Sequence, residues 1–184
     1  TFWCENREKA LIKYGHISIW DTLFVTNMEG LFSDQSTFND DISYWNTSNV
    51  TNMKGMFFRT EFNHPLMDWD VSNVTNMHCM FYDAKAFNHP LEEWNVSNVK
   101  YMSYMFFGTA SFNQSIETWN VSNVTNMQYM FYVAEKFNQS LGEWNVSNVT
   151  YMRSMFYGAT SFNQPLEKWN VSNVTNMKHM FGCA

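Results

Sequence analysis

His64 and His89 occupy equivalent places in two similar stretches, Phe62-Asn63-His64-Pro65-Leu66 and Phe87-Asn88-His89-Pro90-Leu91, and Asp40 follows the corresponding Asn39 upstream. If these stretches lie on neighbouring strands about 4.8 Å apart, two imidazoles and a carboxylate come within reach of one metal ion. Later stretches carry Gln114, Gln139 and Gln164 at this place, which fits hydrogen-bonded turn residues equally well. Asp40, His64 and His89 are therefore the only metal candidates, and the expectation is that no metal or other cofactor is bound. Acids near Trp69 and Trp94 lack the spacing of a calcium loop. Thioethers bind soft metals and exposed indoles stack on sugars, but methionine and tryptophan recurring at fixed places beside phenylalanine point to packing. The three cysteines, Cys4, Cys79 and Cys183, show no CxxC or zinc spacing. His78-Cys79 and His179 fall at variable positions expected to be exposed. No nucleophile elbow, HExxH, P-loop or dinucleotide turn occurs, so no enzymatic activity is expected.

These residues sit in a repeat. Tryptophans at 20, 45, 69, 94, 119, 144 and 169 are spaced by 25 residues, once by 24, the deletion falling between Phe58 and Phe62. Thirteen of the 14 methionines fall in two columns, Met28 to Met177 and Met56 to Met180. The unit reads W-N-V-S-N-V-T-N-M-x-x-M-F-Y-x-A-x-x-F-N-Q-P-L-x-x, with six full units and a seventh truncated at Ala184. One unit is too short to close a core, so units must stack, Trp on Trp and Phe on Phe. The column Asn39, Asn63, Asn88, Asn113, Asn138 and Asn163 is expected to form a buried amide ladder between coils.

Within a unit, Val124, Met127, Met130, Phe131 and Ala134 recur at helical spacing behind Ser122, a possible N-cap. Trp144-Asn145-Val146 alternates as a short strand. The fold class expected is thus an α/β repeat solenoid of about seven coils, each with a short strand and a short helix. Residues 1–19 stand outside the repeat and read as an N-terminal capping helix stopped by Gly15, with the solenoid occupying 20–184. The seventh unit ends without a polar cap, so the chain is expected to continue or to meet a partner there.

The run Leu141-x-x-Trp144-x-Val146-x-x-Val149 resembles the spacing of leucine-rich repeats. More specifically, Phe162-Asn163-Gln164-Pro165-Leu166-x-x-Trp169-Asn170-Val171-Ser172-Asn173-Val174-Thr175-Asn176-Met177 resembles the BspA-type repeat of mycoplasma and other bacterial surface proteins, found also in protists and large viruses. The resemblance covers residues 20–184. It implies a leucine-rich-repeat-like solenoid and a surface location, cellular, extracellular or on a virion, and it implies no catalytic residues.

Charge separates the faces. The net charge of −6 disfavours polyanion binding, and no apolar run is long enough to span a membrane. The positions around the Trp column carry Asp21, Asp68, Asp70, Glu92, Glu93, Glu117, Glu143 and Glu167 against Lys168 alone, so this face is acidic. Lys54, Arg59, Lys85, Lys100, Lys136, Arg153 and Lys178 fall on the other side. The expected function is a non-enzymatic structural or protein-interaction module whose acidic strip, Asp68, Asp70, Glu92, Glu93, Glu117, Glu143 and Glu167, meets a protein partner, which includes a neighbouring subunit in an assembly. The alternative is a periodic target, polysaccharide or ice, gripped by the repeated Asn/Ser pairs such as Asn95/Ser97 and Asn120/Ser122. Nucleic acid is not expected as a partner, because stacked aromatics would need a basic groove beside them. The repeat also generates dense Asn-X-Ser/Thr sequons, Asn95 and Asn123 among them, which become glycan acceptors only along a secretory route.

Overall fold

The computed structural model describes all 184 residues. Helices occur only near the N-terminus: α1 spans Phe2–Glu5 and α2 spans Arg7–Tyr14, followed by a single 3₁₀ turn at Ile17–Ile19. The Asn6 side chain accepts the Lys9 N–H to start α2, and Gly15, at φ 74°, ends it by returning its N–H to the Leu11 carbonyl. Trp3, Ala10 and Ile17 are buried in the same 49-residue core as the repeats. Asp40 fastens this segment to the first coil, its two carboxylate oxygens accepting from Trp3 Nε1 and from Arg7.

The expected α/β solenoid, with a strand and a helix in every coil, is not what the repeats build. Residues 20–184 contain neither helix nor extended strand. Coils pair instead through single-residue parallel bridges, one per coil, running through Asn27, Asn52, Asn76, Tyr101, Asn126, Tyr151 and Asn176.

The reason lies in where the backbone N–H groups go. A helix directs every N–H to a carbonyl four residues back in its own segment. Here the N–H groups of Met127, Tyr129, Phe131 and Val133 donate across to the carbonyls of Tyr151, Arg153, Met155 and Tyr157, at 2.7 to 2.9 Å. The alternate groups of Met130, Tyr132 and Ala134 close four-residue turns onto Met127, Tyr129 and Phe131. The result is a ribbon of overlapping turns with every second amide aimed at the next coil. Tyr129 and Val133 take φ of 58° and 54° at the third position of their turns, as a type II turn requires, and either one interrupts a right-handed helix. Turns of this offset bury the same residues a helix would: Val124, Met127, Met130, Phe131 and Ala134 are all fully inaccessible.

The expected strand fails for a related reason. Trp144 and Val146 are buried and Asn145 is exposed, as alternation requires. The segment nevertheless closes its own turns, Trp144 N–H to Leu141 O and Val149 N–H to Val146 O. Side chains reach the preceding coil in place of backbone: Trp144 Nε1 donates to Ile116 O at 3.0 Å and Asn148 Nδ2 to Ser122 O at 2.7 Å. The indole bond recurs from Trp45 to Trp169, so each tryptophan is both core and rivet.

Aromatic columns fill the interior. Phe131 and Phe137 stack within one coil at 4.1 Å between centroids, and Phe131 meets Phe106 and Phe156 at 5.7 and 5.6 Å. Trp94, Trp119 and Trp144 run parallel at 6.3 and 6.4 Å. Such pairs contribute roughly 0.5–1.5 kcal/mol each beyond area burial. The two methionine columns pack among them with no exposure from Met53 through Met155.

Candidate functional site

The Trp segment positions the acidic strip. In the fifth coil, Trp119 and Val121 point inward while Glu117, Thr118 and Asn120 are exposed. Three anchors fix this stretch: Trp119 Nε1 on Leu91 O, Thr118 Oγ1 on Glu92 O, and Asn123 Nδ2 on Ser97 O, at 2.9, 2.8 and 2.7 Å. The indole and asparagine anchors recur in neighbouring coils, so exposed carboxylates repeat on a rigid backing. Asp68, Asp70, Glu92, Glu93, Glu117, Glu143 and Glu167 are all exposed there. Glu143 pairs with Lys168, which raises the lysine pKa, and Glu117 accepts the Ser140 hydroxyl at 2.9 Å. The Ser72 hydroxyl and amide hold the Asp70 carboxyl below the usual range. The other carboxylates of the strip carry no ion pair.

The metal candidates do not converge. His64 Nε2 donates to Asn39 O and His89 Nε2 to Asn63 O, both at 3.0 Å. Gln139 and Gln164 make the same reach, to Asn113 O and Asn138 O, so histidine and glutamine are equivalent in this column. Asp40 faces Trp3, Arg7 and His16 instead, the last at 3.9 Å. No three His, Cys, Asp or Glu side chains stand together as a metal cluster.

The asparagine ladder is present, but on the surface. Each side chain accepts the backbone N–H of its counterpart in the next coil, from Asn63 on Asn39 through Asn163 on Asn138, at 2.9 to 3.2 Å. The acceptor is the amide oxygen, whose bond does not require burial. A second ladder, Asn49 to Asn173, uses the amide nitrogen on the preceding coil's carbonyls. That commitment withdraws the sequon nitrogens of Asn49, Asn73, Asn123, Asn148 and Asn173, while Asn95, Asn120, Asn145 and Asn170 use only their oxygens, in turns onto Ser97, Ser122, Ser147 and Ser172.

Two further surfaces escaped sequence reasoning. On the turn ribbon, Phe58, Tyr82, Phe107, Tyr132 and Tyr157 form a half-exposed stack with centroids 4.3 to 4.9 Å apart, flanked by Tyr104 on Tyr129 at 4.7 Å. Its signal was the aromatic that follows Met-Phe in five consecutive coils, readable only once the ribbon is known to leave that side open. Where the one-residue deletion falls, a hollow of about 690 Å³ opens among Asn39, Arg59, Glu61, Asp83 and Lys85. Arg59 lies over the Phe58 ring and 3.6 Å from Asp34. His78 and Cys79, expected to be exposed, are both partly buried against the next coil.

No helix is long and apolar enough to cross a membrane. No curated protein and no solved structure matches the chain. The family model described as Mycoplasma protein of unknown function, DUF285, matches residues 5–107 and again residues 89–184. Two overlapping matches, together running from the first helices to the last coil, place the chain in the DUF285 repeat family.

Proposed function

We propose that this chain is a non-enzymatic interaction or structural module, displayed on a cell or virion surface, that meets a protein partner through its acidic strip. The observation carrying this reading is the exposure of Asp68, Asp70, Glu92, Glu93, Glu117, Glu143 and Glu167 on one side of consecutive, mutually fastened coils. Fixed like charges raise the encounter rate with a basic surface, and a rigid backing lowers the ordering cost of the complex. The resemblance of the unit to BspA-type repeats supports the surface location. For a periodic polysaccharide or ice target, the Asn/Ser array is less free: the Asn95, Asn120, Asn145 and Asn170 oxygens already accept backbone N–H groups.

Simultaneous replacement of Glu92, Glu93, Glu117 and Glu143 by Lys tests the proposal. Circular dichroism and melting cooperativity should stay nearly unchanged, because exposed charges contribute little to folding. Association with a basic partner captured from the source organism should slow, and its salt dependence should weaken or invert. Unchanged binding with unchanged salt dependence would move recognition to the turn ribbon.

A further inference from the structure

The turn ribbon of the third coil carries a side-chain pair that no other coil has. At the left-handed turn position where the first two coils place Gly30 and Gly55, the third places Cys79, at φ 57°. His78 precedes it, and His78 Nε2 lies 3.2 Å from Cys79 Sγ. The other ring nitrogen, Nδ1, lies 2.6 Å from the hydroxyl of Ser103, a buried residue of the next coil. Tyr104 supports the ring edge-on at 5.6 Å. The pair opens on a hollow of about 260 Å³ bounded by Glu29, Lys54 and Phe58.

This is the arrangement of a prepared ligand pair. With Nδ1–H donating to Ser103, the Nε2 lone pair is left facing the thiol, and such a second hydrogen bond is what orients a metal-binding imidazole. Both side chains are partly buried against the next coil, which resists charge on either. A lone thiolate or imidazolium is therefore costly here. A thiolate, a neutral imidazole and a monovalent cation together sum to zero charge. A divalent ion such as zinc needs more protein ligands than these two, and no cluster of three stands here. Thiolate sulfur selects soft ions, copper(I) foremost.

We propose that His78 and Cys79 form a two-ligand site for a soft monovalent cation, copper(I), with Ser103 as the positioning residue. The proposal is independent of the acidic strip. On binding, the Cys79 S–H bond breaks and its proton leaves to solvent, a sulfur–copper bond forms, and the Nε2 lone pair makes the second bond. The ion arrives already reduced, and no electron is transferred. With metal–ligand bonds of about 2 Å, a straight S–Cu–N unit needs the donors roughly 4 Å apart, so the thiol must swing a little under 1 Å from its place against Nε2.

The test uses the full chain with Cys4→Ser and Cys183→Ser, which removes the other thiols. Under anaerobic conditions, copper(I) is titrated against a chromophoric copper(I) chelator while proton release and thiolate-to-copper absorption are followed. One equivalent bound, with one proton released, is the expected result. Cys79→Gly restores the residue type this turn position holds in the first two coils, so the fold should persist while the equivalent and the absorption band are lost. His78→Gln should weaken binding at least tenfold, and Ser103→Ala severalfold, with unchanged melting. If Cys79→Gly retains the equivalent, exposed Met67 or Met177 holds the ion and the proposal falls. It falls equally if the parent retains no copper against the chelator.

Discussion

Trp119 lies midway along the stack, is 3% exposed, and runs parallel to Trp94 and Trp144 while touching Phe106 from its own side. Truncation to alanine removes a whole indole from a site that cannot collapse, because its neighbours are held by their own indole bonds to Leu66 and Ile116 carbonyls. Trp119→Ala should therefore cost roughly 3–5 kcal/mol. Trp119→Phe separates packing from hydrogen bonding. The Leu91 carbonyl that loses Trp119 Nε1 keeps the Trp94 N–H at 3.1 Å, so it is left half-satisfied rather than orphaned. Its loss should cost about 1 kcal/mol, toward the low end for a buried acceptor, and the smaller ring about 1 more. Urea denaturation followed by circular dichroism gives both values. Because one indole serves the interfaces on both sides, the alanine variant should also broaden the transition as the two halves uncouple. A loss under 2 kcal/mol for Trp119→Ala, or equal losses for Ala and Phe, would refute the account of tryptophan as core and rivet.

Other outcomes follow from the same geometry. His64→Gln and His89→Gln should each change stability by less than about 0.5 kcal/mol, since Gln139 and Gln164 already make the same bond further along the stack; a larger loss in thermal melts would mean the imidazoles do something else. Gly55→Ala should cost roughly 1–2 kcal/mol, because φ is 60° there and the added methyl meets only the Phe58 Cβ, at an ordinary contact distance of 3.9 Å, leaving backbone strain as the main cost; near-neutral melting would contradict the left-handed turn. Cys79 should alkylate with iodoacetamide far more slowly than exposed Cys183 at pH 8, its rate climbing as pH approaches about 11; equal rates would place the thiol in solvent. A thiol raised in the folded state binds its proton more tightly there than in the unfolded chain, so its contribution is present below pH 9 and lost as pH rises toward about 11. The lowered His78 acts oppositely, losing stability as pH falls below 6.5, and His78→Gln should flatten that acid limb in urea melts taken across pH.

Burial was legible because columns record it directly: tryptophan, two methionines, two phenylalanines and valine recur at fixed places, and only a core demands that. Secondary structure was not legible, and the failure is physical. Met127, Met130, Phe131 and Ala134 are spaced by three and four residues in a helix and in a ribbon of overlapping turns alike, so hydrophobic period cannot distinguish them. A cue existed in the position holding Gly30 and Gly55, a residue type suited to positive φ. It is masked further on, where Tyr104, Tyr129, Ser154 and His179 accept the same strained conformation. That tolerance is understandable, since the N–H of each left-handed residue from Gly30 to Ser154 bonds the following coil, and a bond fixed by stacking outweighs a local preference of about 1–2 kcal/mol. The strand expectation failed where alternation was real but the ladder was made by indole and amide side chains.

The division between constant and variable columns then separates folding from chemistry. Three constant polar columns are committed to the stack: the Asn39 series accepts an amide of the next coil, the Asn49 series donates to the coil before, and the tryptophans donate beneath them both. A ligand that competed for those groups would have to unfasten a coil, which makes those three columns the least suitable place for binding. Positions whose side chains carry no constant bond to another coil are those free to differ from coil to coil: the acids beside the tryptophans, the residue after the first methionine that becomes His78, and the left-handed turn that becomes Cys79. The shortened Phe58 to Phe62 stretch belongs with them, because losing one residue there leaves the backbone stack intact and opens the hollow lined by Arg59, Glu61 and Lys85. In a fold whose constant residues are occupied with one another, departures from the repeat are where recognition has room to act.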